Sequence, residues 1–274
     1  MARRKRPVGQ LCKLCLQSDD LILSHFMPGG LYSYCRANDS NPVRVTSDVI
    51  MQTSWETKDY LLCHPCDNSL NTNGEGWVIP RLCTQDGSFP LYEMLLTQKP
   101  DVAESDVTGY AGARYNALAT RKLAHFALGI FWKASVHSWV KHSKNSRIDL
   151  GPYGEPLRKF LRDEGDFPEE MTLLVGIVPP DKKITTFIEP YRGSAKEYYN
   201  YVCYVPGVQF VLFVGRMVPE ADRECCFLRN PLHPLTIVDL YDTVKEIYQQ
   251  QTAKAHRAAK LLNYWEGKKK KGLL

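Results

Sequence analysis

The sequence predicts an α+β protein. A small N-terminal cysteine-rich module comes first. A larger domain follows, with one long buried helix, an antiparallel sheet and a C-terminal helix. Three observations predict this. Four of the nine cysteines fall into two C-x-x-C pairs, Cys12/Cys15 and Cys63/Cys66. Apolar residues recur at helical spacing between Asn116 and Lys141. From Met171 onward the pattern changes to short Val-, Ile-, Tyr- and Phe-rich runs punctuated by Pro and Gly, the mark of strands.

A chain of 274 residues is long enough to bury a substantial core, and 44% hydrophobic with 24% charged residues is the composition of a globular protein. Disorder over most of the chain is excluded. The greasiest stretch, Val208 to Val218, is interrupted by Gln209, Gly215 and Arg216, well short of the roughly 20 apolar residues a spanning helix needs. The opening MARRKRPVGQ has no apolar run behind its basic start, so it does not read as a secretory leader, and a cytoplasmic location is expected. The net charge of +5 is unevenly spread. Arg3, Arg4, Lys5 and Arg6 cluster at one end and Lys268, Lys269, Lys270 and Lys271 at the other; taking those eight charges away leaves the rest at −3. Such basic runs bind phosphate backbones by releasing counterions, so nucleic acid, DNA above all, is the expected partner and a membrane is not.

Residues 1–9 read as a basic arm and residues 10–80 as the cysteine module, rich in turn formers such as Pro28, Gly29, Gly30, Asn38 and Asp39. Within it, strands are expected near Leu21–Leu23 and Val43–Val49, and a helix from Cys66 that stops at Gly74. Residues 90–265 form the larger domain. Its long helix carries Leu123, Phe126, Ala127, Ile130, Phe131 and Ala134. A short helix over Gly151–Leu161 has Pro156 in its first turn. Strands follow at Met171–Val178, Ile184–Glu189, Tyr198–Val205, Val208–Val218 and Cys225–Leu228, with Pro206-Gly207 as a hairpin turn. A last helix is expected over Leu240–Trp265, ahead of the basic tail, residues 266–274.

Each C-x-x-C turn aims two thiolates at one point, and two such turns complete a tetrahedral shell. Cys12, Cys15, Cys63 and Cys66 therefore read as the ligands of a closed structural zinc site. An odd cysteine count argues against a disulfide framework. Zinc contributes on the order of 10–16 kcal/mol of apparent free energy in small zinc peptides, ample for a module with a thin core. His64, inside the second pair, should face outward. The other five cysteines read as packed thiols.

Cys12-x-x-Cys15, then Leu23-Ser24-His25-Phe26-Met27-Pro28, then Leu61-Leu62-Cys63-His64-Pro65-Cys66-Asp67-Asn68 together resemble the zinc-stapled HNH (ββα-metal, treble-clef) endonuclease family. The resemblance covers about residues 10–80. It implies that His25 is a general base activating water for attack on a phosphodiester, and that Asp67 and Asn68 serve at a divalent ion, Mg2+ or Mn2+. Cleavage in bacterial defence or mobile-element biology is the implied setting. One departure stands out: Ser24 occupies the place where the family has an acid, and a hydroxyl is a poor ligand for such an ion. Glu75 is an alternative source of a carboxylate.

Elsewhere, His125 and His137 lie 12 residues apart on the long helix and read as core or partly buried histidines. Glu169-Glu170 and Asp163-Glu164 read as solvated charges. The tyrosines at 198, 199, 201 and 204 read as sheet packing. Two functions remain: a metal-dependent endonuclease with His25 as base, or a catalytically inactive zinc module for nucleic-acid or protein contact, with a protein partner reached through the larger domain.

Overall fold

The computed structural model describes residues 6–35, 43–45, 49–52, 56–103, 107–111, 119–139, 147–182, 187–193, 197–224, 234–238 and 256–257. Two sheets and one long helix organise them. A two-stranded hairpin pairs β1 (Leu21–His25) antiparallel with β4 (Lys58–Cys63). Between them in sequence lie a short helix α1 (Gly29–Tyr34) and the strands β2 (Val43–Val45) and β3 (Val49–Gln52). After β4 the chain turns into α2 (His64–Leu70), runs through a π-helical turn at Asn71–Glu75 and continues as α3 (Gly76–Val78). The remaining helices are α4 (Pro90–Leu96), α5 (Thr120–Val136), α6 (Gly154–Leu161) and α7 (Glu220–Glu224).

The second sheet has ten strands. It adds β5 (Val102–Ala103), β6 (Val107–Ala111), β7 (Met171–Ile177), β8 (Phe187–Arg192), β9 (Tyr199–Val205), β10 (Val208–Val214), β11 (Pro234–Val238) and β12 (His256–Arg257). Their order is β12-β3-β2-β8-β9-β10-β7-β11-β6-β5. The centre is antiparallel, as expected, and local in sequence: β9 and β10 meet in register from Val205↔Val208 outward, around the Pro206-Gly207 turn, where Gly207 takes a φ of 83°. The sheet as a whole is mixed. β2 pairs parallel with β8, β11 with β7, and β12 with β3. Parallel neighbours need long crossovers, so nothing in the local pattern announces them. Strands β2 and β3, drawn from the cysteine-rich segment, thus extend the large sheet.

Helix α5 is buried on every side from Leu123 to Ser135. A helix apolar all round belongs inside a core rather than on a surface. One hydrophobic cluster runs from Cys12 and Leu31 through Phe126 and Trp132 to Phe210 and Val214. The cysteine segment and the sheet therefore share a core.

Three expectations are corrected. Gly74 does not stop the helix. It lies buried in the π-helical turn, where a Cβ would sit 2.8 Å from the Phe126 backbone nitrogen, so glycine is there to let α5 approach. The Pro28-Gly29-Gly30 turn opens α1 instead of a loop. Within the expected C-terminal helix, His256 and Arg257 are extended and pair with Val49 and Ile50 of β3; the rest of 240–265 lies outside the described residues, as do Cys225–Leu228. Among the described residues no helix is long and apolar enough to cross a membrane.

Candidate metal centre and the His25 face

The first cysteine pair sits on a tight turn. Cys12 N–H donates to the Ser18 carbonyl at 2.7 Å, and Leu16 N–H to the Cys12 carbonyl at 2.8 Å. Leu16 adopts φ 60°, a left-handed conformation that costs a non-glycine residue roughly 1–2 kcal/mol. The strain is tolerated because it bends the chain back over the sulfur. Burial opposes ionisation of Cys15, yet backbone N–H groups of Ser18 and Gln17, together with Cys12 and Cys63, bring its thiol down to about 6. The second pair straddles a strand-to-helix junction. Cys63 ends β4 and caps α2 in an extended conformation, Pro65 sits in the first turn, and Cys66 follows one residue later. Burial pushes the thiols of Cys63 and Cys66 up.

All four sulfurs lie within 4.8 Å of one another, with Cys15 Sγ and Cys63 Sγ 3.8 Å apart. A tetrahedron of sulfurs about 2.3 Å from a central zinc has an edge of about 3.8 Å. A disulfide would require about 2.05 Å, and the four cysteines are free. The donor set and its spacing fit a four-coordinate thiolate-bound ion such as zinc. His64 is exposed, as its place in the turn predicts. Cys35, Cys83 and Cys203 are buried thiols outside the cluster. Burial raises Cys35 to about 12 and also raises Cys203, so both behave as apolar fill.

At the other end of the hairpin, Nε2 of His25 lies 2.8 Å from Oε2 of Glu56, and Lys58 Nζ reaches the same oxygen at 2.6 Å. Lys58 and then His25 hold the Glu56 carboxyl below its ordinary range. The three side chains are 31%, 29% and 37% exposed, so the ring is open to an incoming solute. The ring lies over Gly29, where a Cβ would come within 3.1 Å of Nε2. Ser24 faces the opposite way. The pairing slips between Ile22 and Leu23, leaving Leu61 as an extra residue on β4, and this bulge turns Ser24 into the core. Ser24 is fully buried and its hydroxyl has no partner among the described residues. A carboxylate in that position would be buried without a partner for its charge.

The helical run that begins at His64 starts at the cysteine end of the hairpin and passes near His25. Glu75, at the end of its π-helical turn, accepts from Lys133 Nζ at 3.4 Å, and the same ammonium donates to the His25 carbonyl at 3.1 Å. Asp67 and Asn68 lie at the start of that run, in the turn that holds Cys66. His25 is four strand residues from Leu21, the partner of Cys63, or ~13 Å along β1. Glu56 touches the His25 ring, and Glu75 reaches the His25 carbonyl through Lys133. Glu56 lies 31 residues from His25 in sequence, and no local pattern links the two. Among the described residues, the four cysteines are the one grouping of three or more Cys, His, Asp and Glu donors able to hold an ion.

The other two histidines are buried or half-buried, as expected, but His137 lies past the end of α5, in extended backbone, and not on the helix. His125 is buried and its Nε2 donates to the Leu161 carbonyl at 3.1 Å; burial lowers its pKa and keeps it neutral. His137 is half-buried, 3.2 Å from Asp59 and edge-on to Trp139. Of the basic residues singled out in the sequence, Arg6 is bonded to Asp20; Arg3, Arg4, Lys5 and Lys268–Lys271 lie outside the described residues. Compared with protein-family models, with curated proteins and with solved structures, the chain matches none.

Proposed function

We propose that this chain is a zinc-stapled nucleic-acid-binding protein. One zinc ion on Cys12, Cys15, Cys63 and Cys66 fastens a treble-clef-type unit, made of the first cysteine turn, the β1–β4 hairpin and α2, to the body. The basic runs at 3–6 and 268–271 hold phosphates. The four-sulfur geometry carries the reading: a largely buried thiol set at tetrahedral spacing folds around an ion and leaves no open position for chemistry. Deleting Lys268–Lys271 should flatten the plot of log affinity against log salt by about 3–4 units, the share of four phosphate contacts. Fluorescence anisotropy with a DNA duplex across a salt series measures this. An unchanged slope would overturn the role of that tail.

A second reading, phosphodiester hydrolysis, is favoured by the partly exposed His25–Glu56 pair. Glu56 orients the imidazole, and a neutral ring can take a proton from water. The divalent ion that the resemblance implies does not fit the residues found beside His25: Ser24 faces the core, and Glu56 is engaged with Lys58. No step is therefore routed through such an ion. A plasmid-nicking assay with and without Mg2+ or Mn2+ decides it. On the hydrolytic reading, His25→Ala lowers the rate at least 100-fold and Glu56→Gln about 10-fold. Absence of nicking, or nicking that survives His25→Ala, removes that reading and leaves the binding protein.

A further inference from the structure

We propose that Arg158 of α6 and Arg162, at its C-terminal cap, form a cationic clamp on the four-cysteine centre and hold its ion in place. The proposal rests on the zinc reading above and deepens it, because it assigns the residues that donate N–H groups to the site and fix its turns. Four thiolates around one Zn2+ carry a net charge of two minus. Burying that charge is costly unless cations and N–H donors compensate it. Both come from a helix about 90 to 150 residues away in sequence.

Arg162 lies with its Nη1 3.8 Å from Cys66 Sγ. Arg158 is nearly buried, and its Nη1 donates to the carbonyl of Leu14, inside the first cysteine turn. Neither guanidinium is free to swing away. Glu155 takes both Nε and Nη2 of Arg158 at 2.7 Å, which leaves Nη1 pointing at the turn. Glu164 binds Nε of Arg162 and also approaches Arg158 at 3.9 Å. One arginine thus touches a sulfur of the second pair, and the other fixes the turn that carries the first. An N–H donor on the sulfur, with the first turn fixed from the same side, holds both pairs at the spacing the ion needs. The two arginines are positioning residues; neither binds the ion.

The clamp predicts the rate at which a chelator strips zinc. Metal content of the full-length wild type is measured first, and one zinc per chain is expected. A chromogenic chelator in excess then follows release. Arg162→Gln should release zinc about 10-fold faster than wild type, within the 10–100-fold cost usual for partners of metal ligands. Arg162→Lys, which keeps the charge but loses the planar fork, should fall between them. Arg121→Gln is the control: Arg121 pairs with Asp163 and stacks over Phe160, and among the described residues it makes no hydrogen bond or ion pair to the cysteine turns. Arg158→Gln is run beside them, but its burial makes misfolding a competing cause, so the two Arg162 variants, with circular dichroism matching wild type, decide. Release from Arg162→Gln within twofold of the Arg121→Gln control overturns the clamp. A wild type without bound metal overturns the zinc reading itself.

Discussion

Cys66→Ser should empty the metal centre and lower the melting temperature by ten degrees or more. Zinc supplies on the order of 10–16 kcal/mol in small zinc peptides, against a total stability of about 5–15 kcal/mol for a typical domain. Losing even half of that exceeds what most single substitutions cost. The damage should not stay local. Cys12, Cys63 and Cys66 are members of the main hydrophobic cluster, Lys13 N–H bonds the Leu61 carbonyl at 3.1 Å, and Arg158 reaches Leu14 from α6. Removing the ion therefore loosens the hairpin, α2 and the seat of α6 together. Cys12→Ser should behave alike. Cys35→Ser and Cys83→Ser, buried thiols outside the cluster, should keep their zinc. Elemental analysis and thermal melts of the four variants measure this, and stripping the wild type with a chelator should reproduce the low melting point. Zinc content unchanged in Cys66→Ser would contradict the assignment.

What the sequence disclosed followed the range of the interactions. The cysteine pairs are legible because a C-x-x-C turn is a local device: three peptide units of chain fix where both sulfurs point. Helix α5 and the β9–β10 hairpin are legible for the same reason, since one periodic run or one Pro-Gly turn contains the whole signal. The pairings that build the wider sheet join Arg44 to Phe187, Thr236 to Gly176 and His256 to Val49, and no local pattern encodes partners so far apart. Gly74 shows a different obstacle. A glycine after a helical run reads as a stop, and a glycine that admits a neighbouring helix looks the same until Phe126 is seen above it. At the candidate site, His25 was visible as a residue but its carboxylate was not. The bulge at Leu61 sets which way Ser24 and His25 face, and that slip in register leaves no mark in composition. Arg162 beside the Cys66 sulfur and Lys133 beneath His25 are hidden because a charged residue on or beside a helix is by default a solvated one.

Lys133 is the sharpest of those surprises, and it yields the second large effect. Its side chain is 3% exposed, on a helix otherwise packed with Leu, Ile, Phe and Trp. The ammonium is held by two acceptors, the Glu75 carboxylate and the His25 carbonyl. Truncating one member of such a pair strands the other charge, a loss of about 3–5 kcal/mol. Glu75→Leu should therefore cost about 3 kcal/mol by urea denaturation, because the buried ammonium keeps a single carbonyl partner. Lys133→Met should cost less, since Glu75 is partly exposed and can turn to water. The double variant is the informative one. With both charges gone, the methionine fills the space of the lysine stem, and stability should return to within about 1–2 kcal/mol of wild type, the remaining deficit being the unpaired His25 carbonyl. Two costs that simply add would show that Glu75 and Lys133 are not a working pair. The same cycle probes the candidate site. Lys133 tethers the end of β1 from below, so its removal should speed hydrogen exchange at the Phe26 amide, now bonded to the Thr57 carbonyl at 2.9 Å, while the Cys12–Cys66 sulfur cluster keeps its zinc.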